Sequence, residues 1–180
     1  MKDVFIEQLV RKNYTESDRR KKLVTIALSL AITIFICNSV GYMALNEGNL
    51  AYMFITVFLI GLVIFLAVKR IKGLNVEFEY VYTAGVLDID IIKNRSKRKN
   101  VFSGTVEEFE VMAHINDKEH LAMYNNLPLQ NFSSCEILDN TYVFVTTGQG
   151  SKKRFVIEPK KELVDAMLVD MTPSRLHRVR

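Results

Sequence analysis

Only two cysteines occur in the 180 residues, Cys37 and Cys135. The first lies in an uninterrupted apolar run and the second in a mixed polar segment, so the two cannot meet. A disulfide framework is excluded, and any folded domain must be held by its core. Histidine is nearly as scarce, with His114, His120 and His177 the whole supply. A metal centre needs several ligands converging, and the six-residue step from His114 to His120 fits neither an i, i+4 helical pair nor a finger pattern. Gly148 and Gly150 are not followed by Gly-Lys-Ser/Thr, so no phosphate loop is present. Ser133-Ser134-Cys135 has no predicted base beside it, which argues against a nucleophile, and Cys135 reads as a small buried apolar residue. Asp88, Asp90, Glu108 and Glu110 alternate with apolar neighbours, as solvated strand faces do. These absences predict a protein that is not an enzyme and holds no cofactor or metal ion.

The most informative absence is of charge. Residues 23–45 and 50–68 contain no Asp, Glu, Lys or Arg. At ~1.5 Å per residue these runs make helices of about 35 and 28 Å, against a hydrocarbon core of roughly 30 Å. They predict a transmembrane helical hairpin over residues 23–68, joined by Asn46-Glu47-Gly48-Asn49. Basic residues crowd the outer flanks: Arg19, Arg20, Lys21 and Lys22 before it, Lys69, Arg70 and Lys72 after it, and none in the link. The positive-inside rule then places both termini in the cytoplasm and the protein in the plasma (inner) membrane as a multi-pass protein. The seven cations are predicted interface anchors, each contributing ~1 kcal/mol near anionic headgroups. The net charge of +4 therefore points to the lipid bilayer as a partner and away from nucleic acid. A cleaved secretory signal fits poorly, because 22 residues precede the first run and no Ala-x-Ala site follows it.

Depth within the hairpin can be counted from the link. Asn38 is seven residues before Leu45 and Thr56 six after Leu50, so both lie ~9 to 10 Å below the outer end and are expected to form an interhelical hydrogen bond. Ala27, Ala31, Gly41 and Gly61 are small enough to allow close helix contact. Ahead of the hairpin, residues 1–22 form a predicted cytoplasmic segment. Its first twelve residues set Val4, Phe5, Ile6, Leu9 and Val10 among charges, in the pattern of a short amphipathic helix. Thr15 with Asp18 three residues later has the spacing of a capping arrangement that opens a helix running from about residue 16 to 45.

After Gly73 the pattern switches to period two. Val76, Phe78, Tyr80 and Tyr82 alternate with Glu77, Glu79 and Val81, and Leu87, Ile89 and Ile91 alternate with Asp88 and Asp90. A two-residue turn at Ala84-Gly85 sets Tyr82 opposite Leu87, Tyr80 opposite Ile89 and Phe78 opposite Ile91, whereas a three-residue turn would put Tyr80 against Asp88. The shorter turn is expected, because a one-residue slip sends every apolar side chain to the wrong face. It also opposes Glu79 to Asp90, a like-charge pair needing a cation alongside. Lys93-Asn94-Arg95-Ser96-Lys97-Arg98-Lys99 supplies one from a polar turn leading into a third strand that ends near Phe102. Further strands are expected at residues 106–112, 132–138, 141–147 and 153–157, with turns at Asp139-Asn140 and Gly148-Gln149-Gly150 and a short helix at 116–124. A final amphipathic helix begins at Pro159, carries the stripe Leu163, Val164, Met167, Leu168 and Met171, and ends at Thr172-Pro173. A basic tail over residues 173–180 holds Arg175, Arg178 and Arg180.

Seven short strands followed by one amphipathic helix is the element order of pleckstrin-homology (PH)-like domains, and residues 74–172 resemble one. With the preceding hairpin, the chain is similar to a family of small bacterial membrane proteins with a cytosolic PH-like part. The stretch Asn75-Val76-Glu77-Phe78-Glu79-Tyr80-Val81-Tyr82 with Leu87-Asp88-Ile89-Asp90 and Ser96-Lys97-Arg98-Lys99 carries that resemblance. It implies an α+β protein: an N-terminal two-helix hairpin, then an antiparallel sheet or barrel of about seven strands closed by a C-terminal helix. Phosphoinositide-binding PH domains place basic residues around their first hairpin. Here that turn is Thr83-Ala84-Gly85 and has no cation, so the resemblance carries no ligand site over.

The expected function is a non-enzymatic, membrane-anchored interaction module holding a PH-like domain at the cytoplasmic leaflet, with a protein partner or a second copy of the chain. The alternative is an accessory subunit of a membrane transport or channel complex, packing through the hairpin. Lys93, Arg95, Lys97, Arg98 and Lys99 are the candidate contact with anionic lipid or partner.

Overall fold

The computed structural model describes residues 4–147, 150–171 and 176–177 and divides into two compact units. One is helical, Tyr14–Asn75; the other joins the residues before Tyr14 to those after Asn75.

The helical unit opens as its sequence signals. Thr15 accepts from the Asp18 N–H at 3.3 Å while the Asp18 carboxylate accepts from the Thr15 N–H, a reciprocal cap that starts α1 (Glu16–Ile36). A single π-turn over Cys37–Gly41 follows, then α2 (Tyr42–Glu47), which ends at Gly48 with φ 60°, the left-handed conformation glycine adopts without strain. Asn49 accepts the Ala51 N–H at 2.9 Å and caps α3 (Leu50–Lys72). The runs of 32 and 23 residues are long and apolar enough to cross a membrane. Their apolar side chains face outward, Leu45 being 81% and Phe54 74% exposed.

The expected hydrogen bond between Asn38 and Thr56 is absent. Asn38 Nδ2 donates to Ile34 O at 2.9 Å and Thr56 Oγ1 to Tyr52 O at 2.8 Å, so each is satisfied within its own helix. The π-turn is the reason: its wider i→i+5 winding shifts the phase of everything from Cys37 onward, and a depth count at 3.6 residues per turn misplaces Asn38. A Cβ added at Gly41 would lie 3.9 Å from the Thr56 methyl, so Gly41 faces Thr56. Gly61, expected at a contact, faces open space.

In the sheet unit the first surprise is residues 5–11. They form a strand, β1 (Phe5–Arg11), not an amphipathic helix, paired antiparallel with β2 (Val76–Thr83) from Phe5↔Thr83 to Arg11↔Glu77. Ile6, Gln8 and Val10 point inward at period two while Phe5, Glu7, Leu9 and Arg11 are exposed. Lys12 N–H continues the pairing to Val76 O at 3.0 Å. The helical pair is therefore an insertion between the first two strands of the sheet. The expected division into an amphipathic and basic segment over 1–22 and a PH-like domain from 74 differs from these units, since residues 5–11 pair with β2.

β2 turns at Ala84-Gly85 (φ 47° and 86°) into β3 (Val86–Lys93) in the register expected, with Tyr82↔Leu87, Tyr80↔Ile89, Phe78↔Ile91 and Glu79↔Asp90. β4 (Lys97–Thr105) completes a four-stranded meander, with a bulge where Ile89↔Phe102 passes to Asp90↔Asn100. The second sheet contains β5 (Val111–His114), β6 (Leu129–Asn131), β7 (Tyr142–Thr146), β8 (Lys153–Ile157) and β9 (Leu176–His177) in the order β6-β8-β7-β5-β9. Its β6–β8 and β5–β9 pairs are parallel. A short helix, α4 (Lys118–Leu121), stands where one was expected.

Residues 132–138 are not a strand. Ser133 N–H donates to Asn131 Oδ1, Cys135 N–H to Ser133 Oγ, Glu136 N–H to Ser134 Oγ and Leu138 N–H to Thr141 Oγ1, so side chains have claimed the donors a ladder would need. Cys135 sits there with φ 72° and is exposed, not buried. Of the expected strand over 106–112, residues Val106–Glu108 instead form a single 3-10 turn.

The core lies between the sheets. Phe78 and Phe102 from the first meet Phe144 and Phe155 from the second and Phe132 just after β6, with Phe102–Phe155 centroids 4.8 Å and Phe109–Phe144 centroids 4.3 Å apart. The last helix, α5 (Lys161–Asp170), closes this core with Leu163, Val164 and Met167 buried and Leu168 half-buried. It starts two residues later than expected, at Lys161, and Met171 is its cap. Val111, Ala113, Val143, Val145 and Val156 form a second, smaller core with Leu121 of α4. The stop at Thr172-Pro173, the tail cations Arg175, Arg178 and Arg180, and Gly148-Gln149 lie outside the described residues.

Candidate functional site

Two cationic regions and one buried polar cluster are the candidates. The first cationic region is the turn between β3 and β4, where Asn94 and Arg95 take φ 52° and 55°. Asp90 receives Arg98 Nε and, at 2.9 Å, Asn100 Nδ2, while Arg98 also pairs with Glu79. Arg95 Nε lies 3.6 Å from Glu77. The like-charged Glu79↔Asp90 pair is thus bridged by the following strand, and two of the five candidate cations, Arg95 and Arg98, are paired with acids of the sheet. The other three share a face. Lys93 opposes Lys97 and Ile91 opposes Lys99, so by the alternation of strands the lysines lie on the side of Ile91, past the end of the core. All three are exposed and make no ion pair among the described residues.

The second cationic region is at the base of the helices. Lys69, Arg70 and Lys72 end α3, where positive charge opposes the negative end of the helix dipole. Lys69 Nζ stands 6.0 Å over the Phe65 ring. Arg19 is tied to Glu16 at 3.2 Å, and both line one cleft with Lys22. On another side of α1, Arg20, Lys21 and Arg70 line a second cleft of about 500 Å³ together with Ser17, Val24, Thr25, Leu28 and Leu74. The Tyr14 hydroxyl donates to Asn75 Oδ1 and joins the chain entering α1 to the chain leaving α3.

The polar cluster was not visible in the sequence. Tyr80 OH donates to Phe132 O at 2.6 Å and accepts the Glu158 N–H at 3.2 Å. Glu158 Oε1 accepts both the N–H and the hydroxyl of Ser134, at 3.1 and 2.7 Å. Gln8 donates to Glu158 O at 2.6 Å and accepts the Lys160 N–H at 2.7 Å, fastening β1 to the junction of β8 and α5. Burial pushes the Tyr80 hydroxyl well above its usual range, opposed by the Glu158 N–H and reinforced by the Glu158 charge. Tyr82, whose hydroxyl donates to Asp170, is raised too, first by burial and then by that carboxylate. Long-range pairing of single residues such as Gln8 and Glu158 leaves no local signal, which is why sequence reasoning missed it.

His114 uses both ring nitrogens locally, Nε2–H toward Leu138 O at 3.2 Å and Nδ1 accepting Asn116 N–H, while His120 faces Asp117 at 2.8 Å. Among the described residues no three His, Cys, Asp or Glu side chains gather as a metal site. Ser134 is held by a carboxylate, and Ser133 by Asn131 Oδ1 at 2.6 Å.

A four-stranded meander packed across aromatic rings on a second sheet, with an amphipathic helix closing the core, is the architecture of a PH-like domain. Residues 2–176 match the family described as Bacterial PH-like domain (DUF6106), and the chain belongs to that family. The matched span takes in β1, both long helices and α5. A search of curated proteins and a search of solved structures returned no match.

Proposed function

We propose that the protein is a membrane-anchored, non-catalytic interaction module. Its two long helices cross the inner membrane with both termini in the cytoplasm and tether the PH-like unit to the cytoplasmic leaflet. One observation carries this reading. On helices whose apolar side chains are exposed, Thr25, Ser29, Thr33, Asn38 and Thr56 each donate to the carbonyl three or four residues earlier in the same helix. Hydrocarbon offers polar groups no partners, so a spanning helix must satisfy them itself. Exposed Leu, Ile and Phe over this length are equally unsuited to water.

The seven helix-flanking cations then lie at headgroup level on one side, which supports the orientation. Lys93, Lys97 and Lys99 are the sheet unit's contact with an anionic surface, whether leaflet or protein partner, since Arg95 and Arg98 are engaged by acids. The family supports interaction over catalysis, and a protein partner or a second copy of the chain is its expected object. The test has two steps. Washing membranes at alkaline pH should leave the full chain in the pellet. Protease added outside intact cells should spare everything after residue 72. Release by the wash would end the membrane reading, and digestion would reverse the orientation.

A further inference from the structure

The two clefts at the base of the helices differ in one respect that matters for ligands. The cleft beside Arg19 contains Glu16, which neutralises that arginine, and Arg20 stands on the wall between the two clefts and lines both. The cleft between α1 and α3 contains no acid: its charged members are Arg20 and Lys21 from one helix and Arg70 from the other. None of these three makes an ion pair or side-chain hydrogen bond among the described residues, and the Ser17 hydroxyl beside them is likewise unengaged. Arg20 stands three residues before the apolar run of α1 and Arg70 two residues after that of α3. At ~1.5 Å per residue both guanidinium-bearing positions fall within about 2 Å of one level. Val24 and Leu28 continue the same cleft toward the apolar segment.

We propose that this cleft seats one anionic glycerophospholipid, its phosphate between Arg20 and Arg70 with Ser17 and Lys21 alongside, and its acyl chains against Val24 and Leu28. The inference rests on the bilayer-spanning reading and goes beyond it by assigning a single bound lipid to a defined place. The chemistry is specific in three ways. Guanidinium forks match a phosphate's oxygens two at a time, where an ammonium offers one point of charge. Cations drawn from two helices converge on one volume, which distinguishes a seat from a diffuse basic surface. The apolar continuation requires that the anion carry a hydrocarbon tail, which free phosphate lacks.

The experiment uses the full chain reconstituted in bilayers of phosphatidylcholine mixed with phosphatidylglycerol, followed by native mass spectrometry of the lipid retained. Wild type should retain one phosphatidylglycerol in preference to phosphatidylcholine. An Arg20→Gln/Arg70→Gln variant should lose that preference by about 30-fold, as expected for two cations near a lipid phosphate. Arg20→Lys/Arg70→Lys keeps the charge that sets orientation and should lose several-fold through the missing fork. Arg19→Gln/Lys22→Gln removes the same charge outside the cleft and should retain the preference. Equal loss in that last variant, or displacement of the lipid by inorganic phosphate, would overturn the proposal. So would a wild-type chain that resists the alkaline wash yet retains both lipids equally, an outcome that leaves the spanning reading intact. Release of the chain by the wash would instead remove both.

Discussion

The helical and sheet units satisfy polar groups in opposite ways. In the helices, hydroxyls and the Asn38 amide return to carbonyls three or four residues away in the same helix. In the sheet unit, Gln8 is bonded to Glu158 and Lys160, and Tyr80 to Phe132 and Glu158, across 52 to 152 residues of sequence. Apolar residues divide the same way, buried between sheets in one unit and exposed along helices in the other. On the membrane-spanning reading proposed above, the two units are built for different solvents. Local satisfaction suits hydrocarbon, where each segment must be complete by itself, whereas distant pairing specifies a unique core in water.

The sharpest test of this contrast compares two phenylalanines. Phe144 is fully buried and stacked on Phe109, so Phe144→Ala should destabilise the sheet unit by about 3–5 kcal/mol in denaturant unfolding. Phe54→Ala, at an exposed helix position, should change unfolding by less than about 0.5 kcal/mol. The amides give the next largest difference. Gln8→Leu leaves Glu158 O and the Lys160 N–H without their partner and should cost about 1–3 kcal/mol, whereas Asn38→Leu, which frees only one carbonyl in its own helix, should be close to neutral.

Hydroxyls extend the comparison to pH. Tyr80 and Tyr82 are both held neutral by the fold, with proton affinities above that of an unfolded tyrosine. The native state therefore binds protons more tightly, and this contribution is complete below about pH 10 and lost as pH rises beyond it. Unfolding midpoints should fall from about pH 10 upward, and Tyr80→Phe should flatten that fall while costing about 1–3 kcal/mol at neutral pH. Thr56→Val, removing a hydroxyl bonded within its own turn, should show neither effect. The smallest difference is between ion pairs. Arg98→Gln removes the cation between Glu79 and Asp90 and should cost about 1 kcal/mol, less in high salt. Arg19→Gln breaks an exposed i, i+3 pair and should cost no more than about 0.5 kcal/mol.

What could be read from the sequence follows the distance over which each feature is decided. The register of β2 on β3 was legible to the residue, because a two-residue turn and an alternating apolar face leave one solution. So was the bridging of Glu79 and Asp90 by the next strand, and the cap at Thr15. β1 was not, since seven residues with four apolar side chains fit either period, and the partner that decides lies beyond the helices. The loop at 132–138 has strand-like composition, yet Asn131, Ser133 and Ser134 divert its backbone donors. At the candidate site, the cations were legible as a set. Which of them remain unpaired was decided by Glu77, Glu79 and Asp90 on one side and Glu16 on the other, and only the fold shows that.

The insertion of the helices between β1 and β2 in the chain has a consequence for synthesis. β1 leaves the ribosome before the helices, and its partners lie far behind it, Arg11 facing Glu77 and Phe5 facing Thr83. For a chain inserted as proposed, the nascent strand must wait, unpaired, while two spans are handed to the translocation machinery and the polypeptide returns to the starting compartment. A nascent chain that threads only one span strands the two halves of the sheet on opposite sides of the bilayer. Completion of the sheet thereby becomes the protein's own record that both spans were threaded and both ends lie on one side.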